Sequence, residues 1–403
     1  MTSPGGDARR TASGCRGTCR SALMLALGLG ALACGGATGT GHAGKSAPPG
    51  GSRRDSPVPA AAQRSIATLD GGGADGAVVD APARPAEPPP TVNDLASALR
   101  AARRGYDAVA DAFLRDRTEP EALLARAELA LNRGACGEAE AFASAARRSG
   151  AASARTEPLR ANALLRCDRA GEAEKVLREA ARVSNALVAN TMLGRLLQSR
   201  GMRAEAEPFL RVAIEAYNGG KVADTDGRGL VAVAQSAWAL GAIQDANNAF
   251  REAVHADSDN ARLELAWAEL FVDKHEYAEA ERSLGRALEL NPNLADAHAM
   301  LAGLRLEATM DIARASDSAN RALEIDSTHA DALWVRGRAA LLAQDADAAS
   351  GARDRFRAAH ASDPRAPLFD ALARYEASDA ATYERAIAPM VRARPHDALP
   401  YHA

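Results

Sequence analysis

Aromatic residues are scarce in this chain: 7 Phe, 6 Tyr and 3 Trp make up 4% of its 403 residues. The chain is nevertheless 47% hydrophobic, so its apolar volume comes mainly from alanine and leucine. A core dominated by large aromatic side chains is therefore excluded. Small side chains let neighbouring helices approach each other closely, and this composition is typical of closely packed helix pairs.

The chain also lacks a strong net charge and any familiar catalytic pattern. Its 49 basic and 52 acidic residues leave a formal charge of −3, which provides no electrostatic footprint for nucleic acid. The eight histidines form no HExxH motif or i, i+4 ligand pair, and no nucleophile, kinase or dinucleotide motif is present. We therefore predict no enzyme activity, no cofactor, no metal, and no nucleic-acid or small-molecule partner.

Long hydrophobic runs are missing except near the start. Ser21 to Ala33 form a 13-residue apolar run that follows a segment rich in arginine. This run is too short to span a bilayer comfortably, but it suits the core of a signal peptide. It ends directly before Cys34.

The residues before this cysteine, Ala31-Leu32-Ala33, resemble the lipobox of bacterial lipoproteins. The resemblance implies that residues 1–34 are a lipoprotein signal peptide with its lipobox and that Cys34 becomes the lipidated first residue of the mature protein. It also implies a periplasm-facing location, and Gly35 in place of aspartate points to the outer membrane. An ordinary cleaved signal or an uncleaved anchor is the alternative.

Residues 35–90 are dense in Gly, Pro, Ala and Ser and show no helical or strand periodicity. Such a segment cannot bury enough apolar surface to fold, so we predict a disordered tether. Its root-mean-square span is on the order of 40 Å. Residues 39–46 match the spacing of a phosphate-binding loop, but no strand precedes them and Pro48 and Pro49 follow. We therefore exclude a nucleotide site there.

The stretch from Ala261 to Leu294 contains the clearest helical pattern. Apolar residues recur at helical spacing from Leu263 to Phe271 and again from Tyr277 to Leu290, with a polar turn between the two segments. Asn291-Pro292 ends the second helix, since proline cannot continue it. The pattern predicts two short amphipathic helices that pack against each other.

Small residues lie where these helices would approach most closely, at Ala268, Ala280 and Ala287. Together with Tyr277 and Pro292, they resemble the 34-residue tetratricopeptide repeat. The pattern recurs, with units starting near residues 120, 154, 187, 227, 261, 295, 330 and 367. The resemblance implies an all-α fold, a right-handed superhelix (solenoid) of about eight helix-turn-helix repeats over residues 120–403. Residues 91–119 are predicted to form a capping unit or degenerate repeat.

Two cysteines remain inside the repeats, Cys136 and Cys167, each near the turn of its own unit. Two separate thiols are the default interpretation. A disulfide is the alternative in an oxidising compartment, but it requires Cα atoms within about 7 Å of each other.

Tetratricopeptide arrays bind a partner's peptide or helix in a concave groove lined by the first helix of each unit. In that family, positions 2, 5, 9, 12 and 13 of each unit point into the groove. The resemblance therefore implies protein or peptide partners and assigns candidate groove residues: Arg195, Gln198, Gln235, Trp238, Glu269, Asp273, Trp334 and Arg338. For Trp238 and Trp334, packing between units is the competing interpretation.

Taken together, these patterns predict a lipid-anchored periplasmic scaffold that binds partner proteins in envelope, secretion or pilus assembly. An accessory or specificity subunit of a cell-envelope enzyme is an alternative. A cytoplasmic regulator is a further alternative if the signal peptide is not used.

Overall fold

The computed structural model describes residues 89–183, 186–363, 365–375, 381, 384–385 and 387–388. Cys34, the predicted signal peptide and nearly all of the predicted tether lie outside these residues, as does the end of the last predicted unit. No helix in the described part is long and apolar enough to cross a membrane. The helices along the described chain are α1 (Leu95–Arg103), α2 (Asp107–Leu114), α3 (Pro120–Asn132), α4 (Cys136–Arg148), α5 (Ser153–Arg166), α6 (Ala170–Ala180), α7 (Leu187–Ser199), α8 (Arg203–Asn218), α9 (Gly227–Ala239), α10 (Ile243–Ala256), α11 (Ala261–Asp273), α12 (Tyr277–Leu290), α13 (Ala295–Thr309), α14 (Ile312–Ile325), α15 (Ala330–Leu342), α16 (Ala346–Ala359) and α17 (Arg365–Tyr375).

Consecutive helices pack as pairs, and each pair stacks on the next, so the described chain is an all-helical solenoid. The first helices of the units begin at residues 120, 153, 187, 227, 261, 295, 330 and 365. These starts lie within two residues of the predicted ones, and the predicted fold class is confirmed. Helices α1 and α2 form a further pair ahead of the first predicted unit. The first of these is capped by Asp94, whose carboxylate accepts a 2.7 Å hydrogen bond from the Ser97 amide.

The alanines that define the repeat lie where the helices meet. Ala268, Ala280 and Ala287 are completely buried. Alanines at the equivalent places in other units, such as Ala139 and Ala146, are also completely buried. A methyl group there lets the helix backbones approach, whereas a larger side chain would force the pair apart.

The turns inside the described pairs, from α1–α2 to α15–α16, have a similar backbone geometry. One residue per turn takes a positive φ, at position 15 of most units. Glycine supplies it at Gly134 (φ 76°), where a side chain would also collide with Asp326. Asp168 supplies it in the next unit, with φ 60°. This left-handed conformation ends the first helix and reverses the chain direction.

Cys136 and Cys167 are joined in a disulfide, with their Cα atoms 5.8 Å apart. The interpretation as separate thiols is therefore wrong for this structure. Cys136 is the first residue of α4 and Cys167 follows the last residue of α5. The bond thus connects the turn of one unit to the turn of the next, which no single repeat could reveal.

The solenoid also closes on itself. The turns of the first three pairs contact the loops between later units along a line that we call the seam. Asn132 donates a 2.6 Å hydrogen bond to the carbonyl of Asn293, and its own carbonyl accepts a 3.2 Å bond from the Ala295 amide. Asn293 in turn donates to the carbonyl of Gly105 at 2.7 Å, across 188 residues of sequence.

The seam continues along the next turn. The Arg166 guanidinium forms an ion pair with Asp296 and a longer one, 3.6 Å, with Asp326. The Ser362 amide donates a 2.7 Å hydrogen bond to the Asp168 carboxylate, 194 residues away in sequence. The contacts of the seam therefore join turns and loops that lie 130 to 194 residues apart in sequence, as expected when one superhelical turn lies against the next.

Candidate protein-binding groove

A cavity of about 580 Å³ lies inside the coil formed by the first helices. Its wall comes from α1, α3, α5, α7, α9 and the start of α11. The floor is largely aliphatic, and Leu124, Leu159, Val188, Met192 and Val231 contribute to it. Its volume is within the range typical of ligand sites.

The lining follows the repeat register. The unit that starts at residue 120 contributes Glu121, Leu124 and Glu128, at positions 2, 5 and 9. The following unit contributes Arg155, Pro158 and Asn162 at the same positions when it is counted from 154. The family's groove positions therefore do face the cavity here. The list of candidate groove residues omitted these two units, although the same register applied to them would have found the lining.

Ion pairs bridge the charged rim of this cavity. Arg228 on α9 donates a 2.7 Å hydrogen bond to Glu128 on α3, which connects helices 100 residues apart in sequence. Burial by itself would raise the pKa of Glu128, but the Arg228, Arg262 and Arg103 guanidiniums together outweigh it, and the pKa lies below its ordinary value. Arg155 and Glu121 pair at 3.4 Å in a more exposed position. The rim thus presents both signs of charge around an apolar floor.

Asp107, at the start of α2, offers a hydrogen-bond acceptor to this cavity. One carboxylate oxygen accepts a 3.3 Å hydrogen bond from Asn132, whereas the buried Oδ1 has no hydrogen-bond partner within the described structure. Burial raises the pKa of Asp107 above its ordinary value.

Five of the candidate groove residues form a separate network that ties together α7, α9 and α11. Arg195 donates to Glu269 at 3.3 Å, and its guanidinium lies 5.1 Å from the centre of the Trp238 ring. Trp238 donates through Nε1 to Asp273 at 2.8 Å, and Gln198 donates to the Ala239 carbonyl at 2.7 Å.

This network does not line the cavity. Four of its members contact one another across units and Gln198 bonds to the backbone of α9, which indicates a bridge between units as their first role. Burial raises the pKa of Glu269, and Arg195 opposes that shift. Gln235 lies half-buried on the same helix as Trp238 and also lies outside the cavity wall.

Trp334 and Arg338 were predicted to face the groove, but the structure buries them to 3% and 4% exposure. The Trp334 ring packs edge-on against Phe369 of α17, with centroids 5.2 Å apart. Burial lowers the pKa of Arg338, and the nearby Glu307 carboxylate partly opposes this. The prediction of these two residues as accessible groove positions is therefore corrected, because α17 packs over Trp334 and Arg338 is buried in the neighbourhood of Glu307 on α13. For Trp334, packing between units is the interpretation that fits.

Within the described residues, no group of three or more His, Cys, Asp or Glu side chains is arranged to hold a metal ion.

Comparison with known proteins shows only a general structural similarity. No protein-family model matches the sequence, and no match is found among curated proteins. Among solved structures, PilF of Pseudomonas aeruginosa aligns with a TM-score of 0.40 and 20% identity, over 56% of this chain and 96% of that one. PilW, described as a widely conserved type IV pilus biogenesis factor, aligns with a TM-score of 0.40 and 14% identity, over 53% and 96%. A tetratricopeptide repeat protein from Parabacteroides merdae aligns with a TM-score of 0.40 and 17% identity, over 64% and 99%.

Proposed function

We propose that this chain is a lipid-anchored scaffold of the bacterial envelope that binds a segment of a partner protein in its central cavity. The observation that carries this proposal is the cavity itself, because its wall is built from the first helices of successive units and its volume is about 580 Å³. A lining shared among several units suits a partner segment that runs across them, since each unit contributes a few side chains.

The lining indicates what such a segment would look like. Aliphatic side chains such as Leu159 and Val231 form the floor and favour apolar side chains of the partner. Charged groups of both signs at the rim, such as Glu121 and Arg155, favour a segment that also carries polar and charged side chains. An amphipathic helix or an extended peptide with alternating apolar and polar residues has this chemistry.

The proposed location rests on the sequence alone. The apolar run before Cys34 and the Gly- and Pro-rich stretch to residue 90 support a lipid anchor followed by a tether. The folded array would then reach partners some distance from the membrane, on the periplasmic side. Envelope, secretion or pilus assembly is the setting that we propose for this scaffold.

The anchor is tested by intact-mass measurement and membrane fractionation of the wild type and of Cys34→Ala. We expect the wild type to begin at Cys34, to carry acyl chains and to float with membranes, and the variant to lose all three properties. An unmodified, full-length and soluble wild-type protein would contradict the anchor. The binding array could then still act in the cytoplasm.

Site-specific photocrosslinking tests the cavity. A benzophenone amino acid replaces Leu159 or Val231, which line the cavity, in the full-length protein in its native cells. Matched controls carry the probe at Arg211 or Arg282 on second helices, whose side chains are 61% and 74% exposed.

We expect the same partner segment to crosslink at both cavity positions and at neither control. Equal crosslinking at all four positions, or crosslinking at the controls alone, would contradict binding in the cavity. The identity of the crosslinked protein, an assembly component or a single catalytic protein, separates the scaffold from an accessory enzyme subunit.

A further inference from the structure

The disulfide lies where the solenoid closes. Cys136 begins α4 directly after the turn at Gly134, and Cys167 follows Arg166 at the end of α5. Both cysteines are half-buried. A small thiol reagent therefore does not need the core to open before it can attack the bond.

Both of the turns that the disulfide connects make seam contacts. On the first, Asn132 bonds to the backbone at Asn293 and Ala295. On the second, Asp168 accepts from the Ser362 amide. The crosslink thus fixes the spacing of two neighbouring turns, one of which contacts the loop between α12 and α13 and the other the loop between α16 and α17.

The seam is also part of the cavity wall. Asn132 and Asn291 both line the cavity, although they belong to units far apart in the sequence. Arg103 of α1 lines it as well and pairs at 3.7 Å with Asp257, on the loop that follows α10. Separation of the two sides of the seam would therefore widen the cavity at the edge formed by Arg103, Asn132 and Asn291.

We propose that the Cys136–Cys167 disulfide is a redox-sensitive latch that keeps the seam closed and so controls access to the cavity. This inference rests on the proposed function in one respect, namely that the cavity is the binding site. With the bond intact, the two turns move as one body and the seam contacts form together. With the bond broken, each turn fluctuates independently, and the solvent-facing ends of the seam separate more often.

The chemical step needs a dithiol reductant. One thiolate of the dithiol attacks a sulfur of the disulfide, which forms a mixed disulfide and releases the other cysteine as a thiolate that takes up a proton. The second thiolate of the dithiol then displaces the remaining cysteine sulfur. The dithiol leaves as an oxidised disulfide, and the protein gains two electrons and two protons as two thiols.

Hydrogen–deuterium exchange at single-amide resolution tests the latch on the full-length protein, with dithiothreitol as the reductant. The Ala295 and Ser362 amides report on the seam, because each donates to a side chain on its other side. The Ala348 amide is the matched control, since it donates at 3.0 Å to Asp345 within its own unit. We expect reduction to accelerate exchange at both seam amides about tenfold and to leave Ala348 unchanged.

Two variants separate the latch from general loosening. The double variant Cys136→Ser, Cys167→Ser is expected to exchange at the seam like the reduced wild type and to ignore dithiothreitol. Asp168→Gly keeps the disulfide and tolerates the positive φ, but it removes the acceptor of the Ser362 amide. We expect fast exchange at Ser362 in this variant even under oxidising conditions.

Unchanged protection of Ala295 and Ser362 after reduction would overturn the latch, and so would equal acceleration at Ala348. These outcomes are independent of any partner. If no partner crosslinks at Leu159 in any redox state while exchange at the seam still responds to reduction, the proposed function is contradicted. The proposal of a latch is unaffected by that result.

Discussion

Position 9 of the repeat has different surroundings at the two ends of the solenoid. In the unit that starts at 120 it is Glu128, which faces the cavity and pairs with Arg228 across it. In the unit that starts at 330 it is Arg338, which is only 4% exposed. The register of the repeat is the same, but the neighbouring helices differ. Register alone therefore identifies candidate groove positions, and the later helices decide which of them remain accessible.

Two carboxylates on helix α13 show that neighbouring units also determine the pKa of a residue. Asp296, near the start of the helix, meets Arg166 across the seam and His329 of the next unit. Burial opposes ionisation of Asp296, but these neighbours outweigh it and hold its pKa well below the ordinary value. For Glu307, near the end of the helix, burial outweighs the opposing charge of Arg338 and raises the pKa to about 7. The pKa values of two carboxylates on one helix are thus shifted in opposite directions.

The aromatic cluster at the C-terminal end should be far more sensitive to truncation than the cavity wall. Phe356 is completely buried and lies 5.9 Å from the ring of Phe369. Phe356→Ala is expected to lower the free energy of unfolding by about 3–5 kcal/mol, because it leaves a cavity in the core. The matched change Leu159→Ala, at a half-buried position already open to the cavity, should cost less than about 1.5 kcal/mol. Urea denaturation measures both, and equal losses would contradict the contrast.

Removal of the disulfide should have the next largest effect and should act on the N-terminal region. The bond closes a loop with a sequence separation of 31 residues. The double variant Cys136→Ser, Cys167→Ser should lose about 3 kcal/mol, since its unfolded chain regains conformational freedom. Urea titrations with and without dithiothreitol are the measurement. A wild type whose stability does not respond to the reductant would argue against a bond in solution.

The raised pKa of Glu307 predicts a loss of stability with rising pH. The unfolded carboxyl has a pKa of about 4.5 and the folded one of about 7, so the native state binds more protons between these values. The free energy of unfolding contributed by this group therefore falls as pH rises from about 5 to 8, by about 2 kcal/mol. Glu307→Gln should remove this dependence in denaturation curves recorded across that range.

Asp296 provides the contrast at low pH. Its pKa is depressed in the folded state, so its contribution is complete above the unfolded pKa of about 3.8 and declines as the pH falls below that value. Glu307→Gln should leave this loss of stability at low pH unchanged. If the variant abolished the loss at low pH instead, the assignment of the two pH dependences to Asp296 and Glu307 would be wrong.

When each is replaced by phenylalanine, the two tryptophans predicted as groove anchors should differ in their stability cost by about 0.5–1 kcal/mol. Trp238→Phe removes the 2.8 Å hydrogen bond to Asp273 and should cost about 1 kcal/mol. Trp334 is buried, and its Nε1 has no hydrogen-bond partner in the described structure. Trp334→Phe loses buried ring atoms but also removes this buried N–H without a partner, and these two effects offset each other, so we expect stability to change by less than about 0.5 kcal/mol. Thermal unfolding with calorimetric detection compares the two, and a reversed order would contradict the assignment of partners.

Much of the fold could be predicted because each unit carries its own information. The apolar stripe from Leu263 to Phe271 sets the buried face of one helix, and Asn291-Pro292 sets the end of its partner. The fully buried Ala280 and Ala287 set how closely the pair can pack. These are local patterns with a fixed period, so the helix starts were found to within two residues.

The candidate site was predicted less well, for a physical reason. Arg195 and Trp238 occupy groove positions in the repeat, but they contact Glu269 and each other rather than the cavity. Nothing local to Trp334 indicates that Phe369 will pack against it. Accessibility depends on neighbours one or more units away, which a single-repeat rule does not include.

By itself, the sequence determined the helices, their pairing and their small-residue contacts, because these depend on residues within about one 34-residue period. Only the tertiary structure decided that Asn132 meets Asn293, that Asp168 meets Ser362 and that Cys136 pairs with Cys167. Such contacts depend on small rotations between units that accumulate over the whole superhelical turn. No local pattern encodes the accumulated rotation. The same rotation determines which helices form the walls of the cavity.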